Sequence, residues 1–238
     1  MKDISPDQVV FWEWGLVKLN STIVYTWGVM LLLVVVSWLV TRNLSSDREI
    51  SRGQNLLESI VSGMRDQIED VADEPPGPYL AFIGTLFLYI FVSNVLAVAP
   101  GFTPPTASLS TTAALAICVF FAVPVYGIAS RGFPGYMRQY IQPTPLMLPF
   151  NIMGELSRTL ALAVRLFGNM MSGTKIVMIL LAVAPLLFPV VMNLLGLLTG
   201  VIQAYIFAIL AMVYISSATR ARRKTEQEAR QETTKEGE

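Results

Sequence analysis

Residues 160–171 read LALAVRLFGNMM. A single arginine, Arg165, stands inside an apolar run that continues on both sides. From Gln139 to Thr219 the only charges are Glu155, Arg158, Arg165 and Lys175. A bilayer is crossed by about 20 mainly apolar residues in a helix, so the segment reads as membrane-spanning. An arginine in the middle of such a helix costs roughly 2.5–3.5 kcal/mol to insert, and normally faces water, a partner charge or a functional path. The bland alternative is a guanidinium that stretches to the interface on its methylene stem. The length of apolar sequence on each side of Arg165 argues against it.

The same pattern extends outward. Residues 75–130 and 176–219 contain no Asp, Glu, Lys or Arg. Candidate spans are Ile23–Val40, Tyr79–Ala99, Ala107–Ala129, about Leu146–Ala184 and about Leu186–Ser217, with Pro185 and Pro189 marking the last turn because proline breaks a helix interior. The expected fold is all-α: a polytopic membrane protein of about five transmembrane helices, the last two forming a long tilted hairpin. The whole chain agrees. Of 238 residues, 53% are hydrophobic and 14% charged, against about 25% charged in soluble domains. Seventeen basic residues offset seventeen acidic ones, which gives no reason to expect a nucleic-acid partner. Histidine is absent and Cys118 is the only cysteine. That excludes a Ser–His–Asp triad, an internal disulfide and a His- or Cys-cluster metal site. No catalytic residue, resident metal or cofactor is expected.

Loop cations set the expected orientation. Arg42, Arg48, Arg52 and Arg65 follow the first span. Arg131 and Arg138 follow the third, and Arg220, Arg222, Arg223 and Lys224 follow the fifth. The intervening loops carry none. The N-terminus is expected outside and the C-terminus in the cytoplasm. The leader is mixed in charge and lacks a nearby cleavage site, unlike a signal peptide. The chain is expected to insert as made, in a bacterial plasma membrane or that of an organelle encoding it. Residues 1–41 form the outer segment and first span. Residues 42–78 form a cytoplasmic amphipathic helix and linker, 79–218 the transmembrane core, and 219–238 a charged cytoplasmic tail. The amphipathic helix opens on the capping-box pair Ser46 and Glu49. Leu57, Ile60, Val61, Met64, Ile68 and Val71 recur at helical spacing. It suits the membrane surface, a partner, or a simple link between spans.

At about 100° per residue, Glu155, Arg158, Leu162, Arg165, Asn169 and Ser172 share one helix face. Glu155 and Arg158 are close enough to pair. Arg165 is too far along the helix to share that carboxylate, so its anion is expected from another subunit or from a transported solute. Arginine keeps its proton under these conditions, which makes it a fixed charge and not a carrier. On the last span Asn193, Gly196, Gly200, Gln203 and Phe207 form a matching face, with a small-xxx-small pattern that lets helices approach. Asn94, Ser108, Ser110, Thr111 and Thr112 give a polar end to the second and third spans.

The Arg165-Leu166-Phe167-Gly168-Asn169-Met170 run resembles the signature of the subunit a family of F-type rotary ATP synthases. Gln203-Ala204-Tyr205-Ile206-Phe207 is similar to its last-helix motif. Asn94 ahead of Pro100, and Pro105-Thr106-Ala107 leading into a hydroxyl-rich span, resemble earlier landmarks. The resemblance covers residues 79–218 and implies an ion-conducting stator. Its two half-channels load and unload the carboxylates of a rotating c-subunit ring past a fixed arginine. By resemblance Arg165, Asn169 and Gln203 carry translocation. Glu155, Arg158, Ser172, Thr174, Asn193, Asn94, Ser108, Ser110 and Thr112 are candidate channel-lining residues. The implied partners are the c-ring, peripheral-stalk b subunits, the rest of the complex and the lipid bilayer. Usual family carboxylates and a histidine are replaced here by Thr174, Gly196, Ser108 and Ala97. A neutral path of this kind fits either water-borne protons or sodium, because hydroxyl and amide oxygens bind hard cations. The Glu155-Leu156-Ser157-Arg158 run resembles a divergent sodium-associated branch, the N-ATPases. The rival reading is a stand-alone secondary transporter that binds an anionic substrate at Arg165.

Overall fold

A computed structural model describes residues 10–14, 17–42, 52–72, 77–99, 102–141, 147–183 and 188–219. The capping-box pair, the Pro185 turn and the tail beyond residue 219 lie outside the described residues. Among the described residues six α-helices carry the fold: α1 (Ser21–Arg42), α2 (Arg52–Ala72), α3 (Gly77–Leu96), α4 (Leu109–Ile141), α5 (Met147–Val183) and α6 (Phe188–Thr219). The helical reading holds for the membrane part. A feature not anticipated from sequence precedes it, an antiparallel hairpin of β1 (Val10–Trp14) and β2 (Val17–Asn20).

Four stretches are long and apolar enough to cross a bilayer: Ser21–Leu39, Gly77–Leu96, Leu109–Ser130 and Val190–Thr219. Helix α5 has 37 residues, ample for a crossing. It packs against α4 and α6, which carries it through the same layer as a fifth crossing. Pro189 falls in the first turn of α6, where a missing N–H costs no helical bond.

The core lies where α3, α4, α5 and α6 meet. Ile90, Leu162, Leu166, Phe207, Met212 and Ile215 are all almost fully buried there. Lipid is as apolar as these side chains, so close packing and interhelical hydrogen bonds hold such helices together. Tyr126 of α4 stacks obliquely on Tyr79 of α3 at 5.3 Å and donates its hydroxyl to the Pro78 carbonyl at 3.2 Å. Helix α1 is the outlier. Trp27, Leu31 and Val34 are about two-thirds exposed, as suits a helix facing lipid. Near its start Tyr25 stands edge-on to Phe102 at 4.9 Å.

Helix α4 changes course at Gly132, whose φ of 75° lies in the left-handed region that favours glycine. The bend brings Tyr136 back over Gly127, where an added Cβ would come within 2.6 Å of the ring. The amphipathic α2 packs on α3 and α6. Tyr205 of α6 donates to Oε1 of Gln67 at 2.5 Å, and the Met64 methyl faces Gly84. Of its apolar stripe Ile68 is buried against the bundle, while Val61 stays exposed.

Candidate functional site

Arg165 stands at the centre of α5 (Met147–Val183), about 27 Å from either end at 1.5 Å per residue. It is exposed on the surface of the bundle. Leu160 and Val164, more than half exposed, stand nearby, and Gly168 has no heavy atom within 4 Å of where a Cβ would sit. One face of α5 therefore offers a charge, a bare backbone and apolar flanks to whatever lies outside the chain. Ser172 and Lys175 are exposed further along and Asn169 is half-buried.

The register between α5 and α6 is set by polar contacts. Asn169 donates through Nδ2 to the Thr199 carbonyl at 3.3 Å, and Arg158 lies over the Tyr214 ring at 5.6 Å. Antiparallel pairing in this register brings Gln203 to the level of Arg165. The two side chains part company there. Arg165 points outward, whereas Gln203 is 5% exposed and turned into the bundle. Its Nε2 has no hydrogen-bond partner among the described residues. A buried amide N–H left unpaired costs about 1–3 kcal/mol, a cost that the oxygen of a water would relieve.

Gly200 explains half of the small-residue face. A Cβ there would meet Asn94 Cβ at 3.0 Å and the Met170 methyl at 3.1 Å. The Gly200 carbonyl accepts from Asn94 Nδ2 at 2.8 Å, and Thr106 donates to Asn94 Oδ1 at 2.8 Å. Asn94 thus ties α3 to α6 and to the short 3-10 turn Pro105–Ala107. Gly196, one turn earlier, has open space around it, and Asn193 is exposed.

Around this tie lies a buried polar group. Ser93, Asn94, Thr106, Ser108 and Thr112 are each at most 1% exposed. The Ser108 and Ser110 hydroxyls share a hydrogen bond at 2.7 Å. Thr112 donates to the Leu109 carbonyl at 3.1 Å. Tyr89 Oη faces the hydroxyls of Thr26 and Ser93 without a well-formed bond to either. Tyr89 and Ser93, absent from the polar pattern of the sequence, belong to this group, as does Thr106 of the Pro105-Thr106-Ala107 landmark. Ser93 directly precedes Asn94 in the sequence, which is the local signal for it. Thr174 and Ser172 instead bond locally, to the carbonyls of Met170 at 2.9 Å and Asn169 at 3.1 Å.

On the other side of Arg165, Glu155 and Arg158 both border a small cavity with Thr159, Tyr214 and Ser217. The predicted polar residues therefore fall into two clusters. One lies at the Leu109 end and one toward the Thr219 end, with Arg165 between them.

The family profile described as ATP synthase A chain matches residues 23–216. A protein named ATP synthase subunit a 2 from Acaryochloris marina is 66% identical over 91% of this chain and 93% of its own length. An ATP synthase subunit a from Albidiferax ferrireducens is 59% identical over 92% of this chain and 95% of its own. An ATP synthase subunit a 1 from Chlorobaculum parvum is 61% identical over 93% and 98%.

Proposed function

The chain belongs to the ATP synthase A chain family, and from that premise we propose that it is the ion-translocating stator subunit of a bacterial F-type ATP synthase. It is a multi-pass membrane protein and a non-catalytic part of that complex. Arg165 carries the reading. It is an exposed, permanently charged side chain at the midpoint of a membrane-embedded helix. No carboxylate of α5 or α6 stands at its level. A cation so placed is stable against a carboxylate supplied by another subunit, and the open backbone at Gly168 lets a partner helix come close.

The mechanism follows from fixed charge. A ring carboxylate passing within about 4–6 Å of Arg165 is held ionised by it and gives up its cation on arrival. A loaded site is electrically neutral and gains nothing from the guanidinium, so the cation leaves on one side and is replaced on the other. Asn169 and Gln203 offer amide oxygens and N–H groups at the same level. The cluster of Asn94, Ser108, Ser110 and Thr112, with Ser172, Thr174 and Asn193 further along the hairpin, serves one half-channel. Glu155 and Arg158 border the other. Each ion crossing 100 mV supplies about 2.3 kcal/mol, summed over the ions of a turn. The N-terminus lies outside and the C-terminus in the cytoplasm, as the loop cations direct. The c-ring docks on the Arg165 face, and peripheral-stalk b subunits complete the stator.

The test is purification of the tagged chain from native membranes in mild detergent. Copurification with a c-ring and an ATPase head is expected. Recovery as a lone protein that binds an organic anion at Arg165 would favour the transporter reading.

A further inference from the structure

A cavity of about 250 Å³ lies between α2, α3 and α6. Met64 and Ile68 of α2, Ile83 and Phe87 of α3, and Ile209 and Met212 of α6 form its walls. Among the described residues no charged side chain borders it. Of the polar groups at its edge, the Tyr205 hydroxyl is already committed to Gln67 Oε1, and Ser59 is exposed. A buried water needs about 2–4 polar partners, and an apolar cavity of about 150 Å³ stays dry and takes an apolar guest instead. This cavity is larger, and its walls offer water almost nothing. A guest is favoured because wall atoms that face a void forfeit their dispersion contacts.

Position and shape decide which guest. Ile83 and Phe87 stand within the Gly77–Leu96 crossing, about 9 and 15 Å from its start along the helix. The hydrocarbon layer is about 30 Å thick, so the cavity stands at the depth of lipid tails. It is open to them: Phe87 and Ile209 are half-buried, and Gly63 at its edge is exposed. A Cβ added at Gly63 would meet no heavy atom within 4 Å, so the α2 backbone is bare here. One residue on, α2 closes against α3, with the Met64 methyl 3.2 Å from where a Cβ of Gly84 would sit. A helix of another protein, about 10–12 Å across, is too thick for a cleft closed on that side. A single acyl chain is not, and Met64 and Met212 are side chains that adjust to an irregular guest.

We propose that this cavity is a binding site for one acyl chain of a membrane phospholipid, which joins α2 to the α3–α6 pair. The Gln67–Tyr205 hydrogen bond holds the joint at one edge and the Met64–Gly84 contact at another. The lipid tail fills what those two contacts leave open. The inference does not depend on the stator reading.

The test uses the full chain in its native assembly, purified in mild detergent until only tightly held lipid remains. The probe is phosphatidylethanolamine with a diazirine midway along one acyl chain, exchanged in at trace level. Photolabelling is read by peptide mass spectrometry. Label on the peptides bearing Met64 and Phe87 is expected to exceed label on the α1 peptide bearing Leu31 and Val34 at least fivefold, although those two are the more exposed. Gly63→Leu, which puts a side chain into the cavity, is expected to cut the Phe87 label at least fivefold and leave the α1 label unchanged. Ser59→Phe at the rim is the second variant and is expected to act the same way. Tightly held phospholipid, counted by native mass spectrometry, is expected to fall by about one per chain in both. Equal labelling of the cavity and α1 means ordinary boundary lipid and overturns the proposal. So does the absence of label at Met64 and Phe87, the result expected where a neighbouring protein chain or a small apolar solute occupies the cavity. Cavity label that persists in full in both variants overturns it as well.

Discussion

Replacing Asn94 by alanine removes the hydrogen bond from its Nδ2 to the Gly200 carbonyl and the one it receives from Thr106, both 2.8 Å. The Gly200 carbonyl sits in helix α6, so it keeps its own helical partner and loses only a second bond. Thr106 is 0% exposed and its hydroxyl loses its acceptor. Interhelical hydrogen bonds in membranes average about 0.6 kcal/mol and reach about 1.7. An orphaned buried donor adds about 1–3 kcal/mol. The truncated side chain also leaves space beneath Gly200, which Asn94 Cβ fills in part. The expected loss is about 2–3 kcal/mol. A double-mutant cycle with Thr106→Val isolates one bond, because valine keeps the shape and drops the donor. The Asn94→Ala change should cost roughly 1 kcal/mol less in the Thr106→Val background. The assay is reversible unfolding of the purified subunit in mixed micelles, read by the change in midpoint at constant slope. A loss below about 0.5 kcal/mol, or strict additivity of the two changes, would refute the reasoning.

Gly127→Ala places a methyl within 2.6 Å of the Tyr136 ring, so the segment after Gly132 must shift. It should destabilise the chain by about 1–3 kcal/mol, and Tyr136→Ala in the same chain should remove the clash; thermal melts of the two variants read this directly. A Cβ added at Gly168 meets no heavy atom within 4 Å, so Gly168→Leu should leave the isolated subunit's midpoint within about 0.5 kcal/mol. In the assembled complex the same change should impair ATP-driven ion pumping at least tenfold, because it occupies the face assigned to the ring. Normal pumping would place the ring elsewhere.

The membrane crossings were legible because length and hydropathy are properties of single segments. Residues 75–130 and 176–219 announce themselves by lacking charge. Helix α5 was legible for a different reason: Glu155, Arg158, Arg165 and Asn169 share a face at helical spacing, which needs only the helix period. What the sequence left hidden depends on register between helices. No local pattern says that Asn94 meets Gly200, that Arg158 lies over Tyr214, or that Gly200 is crowded while Gly196 is open. Gln203 shows the limit best. It was placed on a functional face with Asn193 and Gly196, yet the bundle buries it while those two remain partly or fully open. The β1–β2 hairpin is masked in the sequence by the mixed charges of residues 1–20. The β-branched and aromatic residues Val10, Phe11, Trp12 and Trp14 carried the signal for a strand.

The central claim is that Arg165 is the fixed charge that couples ion flow to the ring. Its most direct test is ion-gradient-driven ATP synthesis by the assembled complex carrying Arg165→Ala, with assembly verified by subunit composition. The account predicts an intact complex that no longer makes ATP from the gradient. An assembled Arg165→Ala complex that still synthesises ATP at the unmodified rate would contradict it.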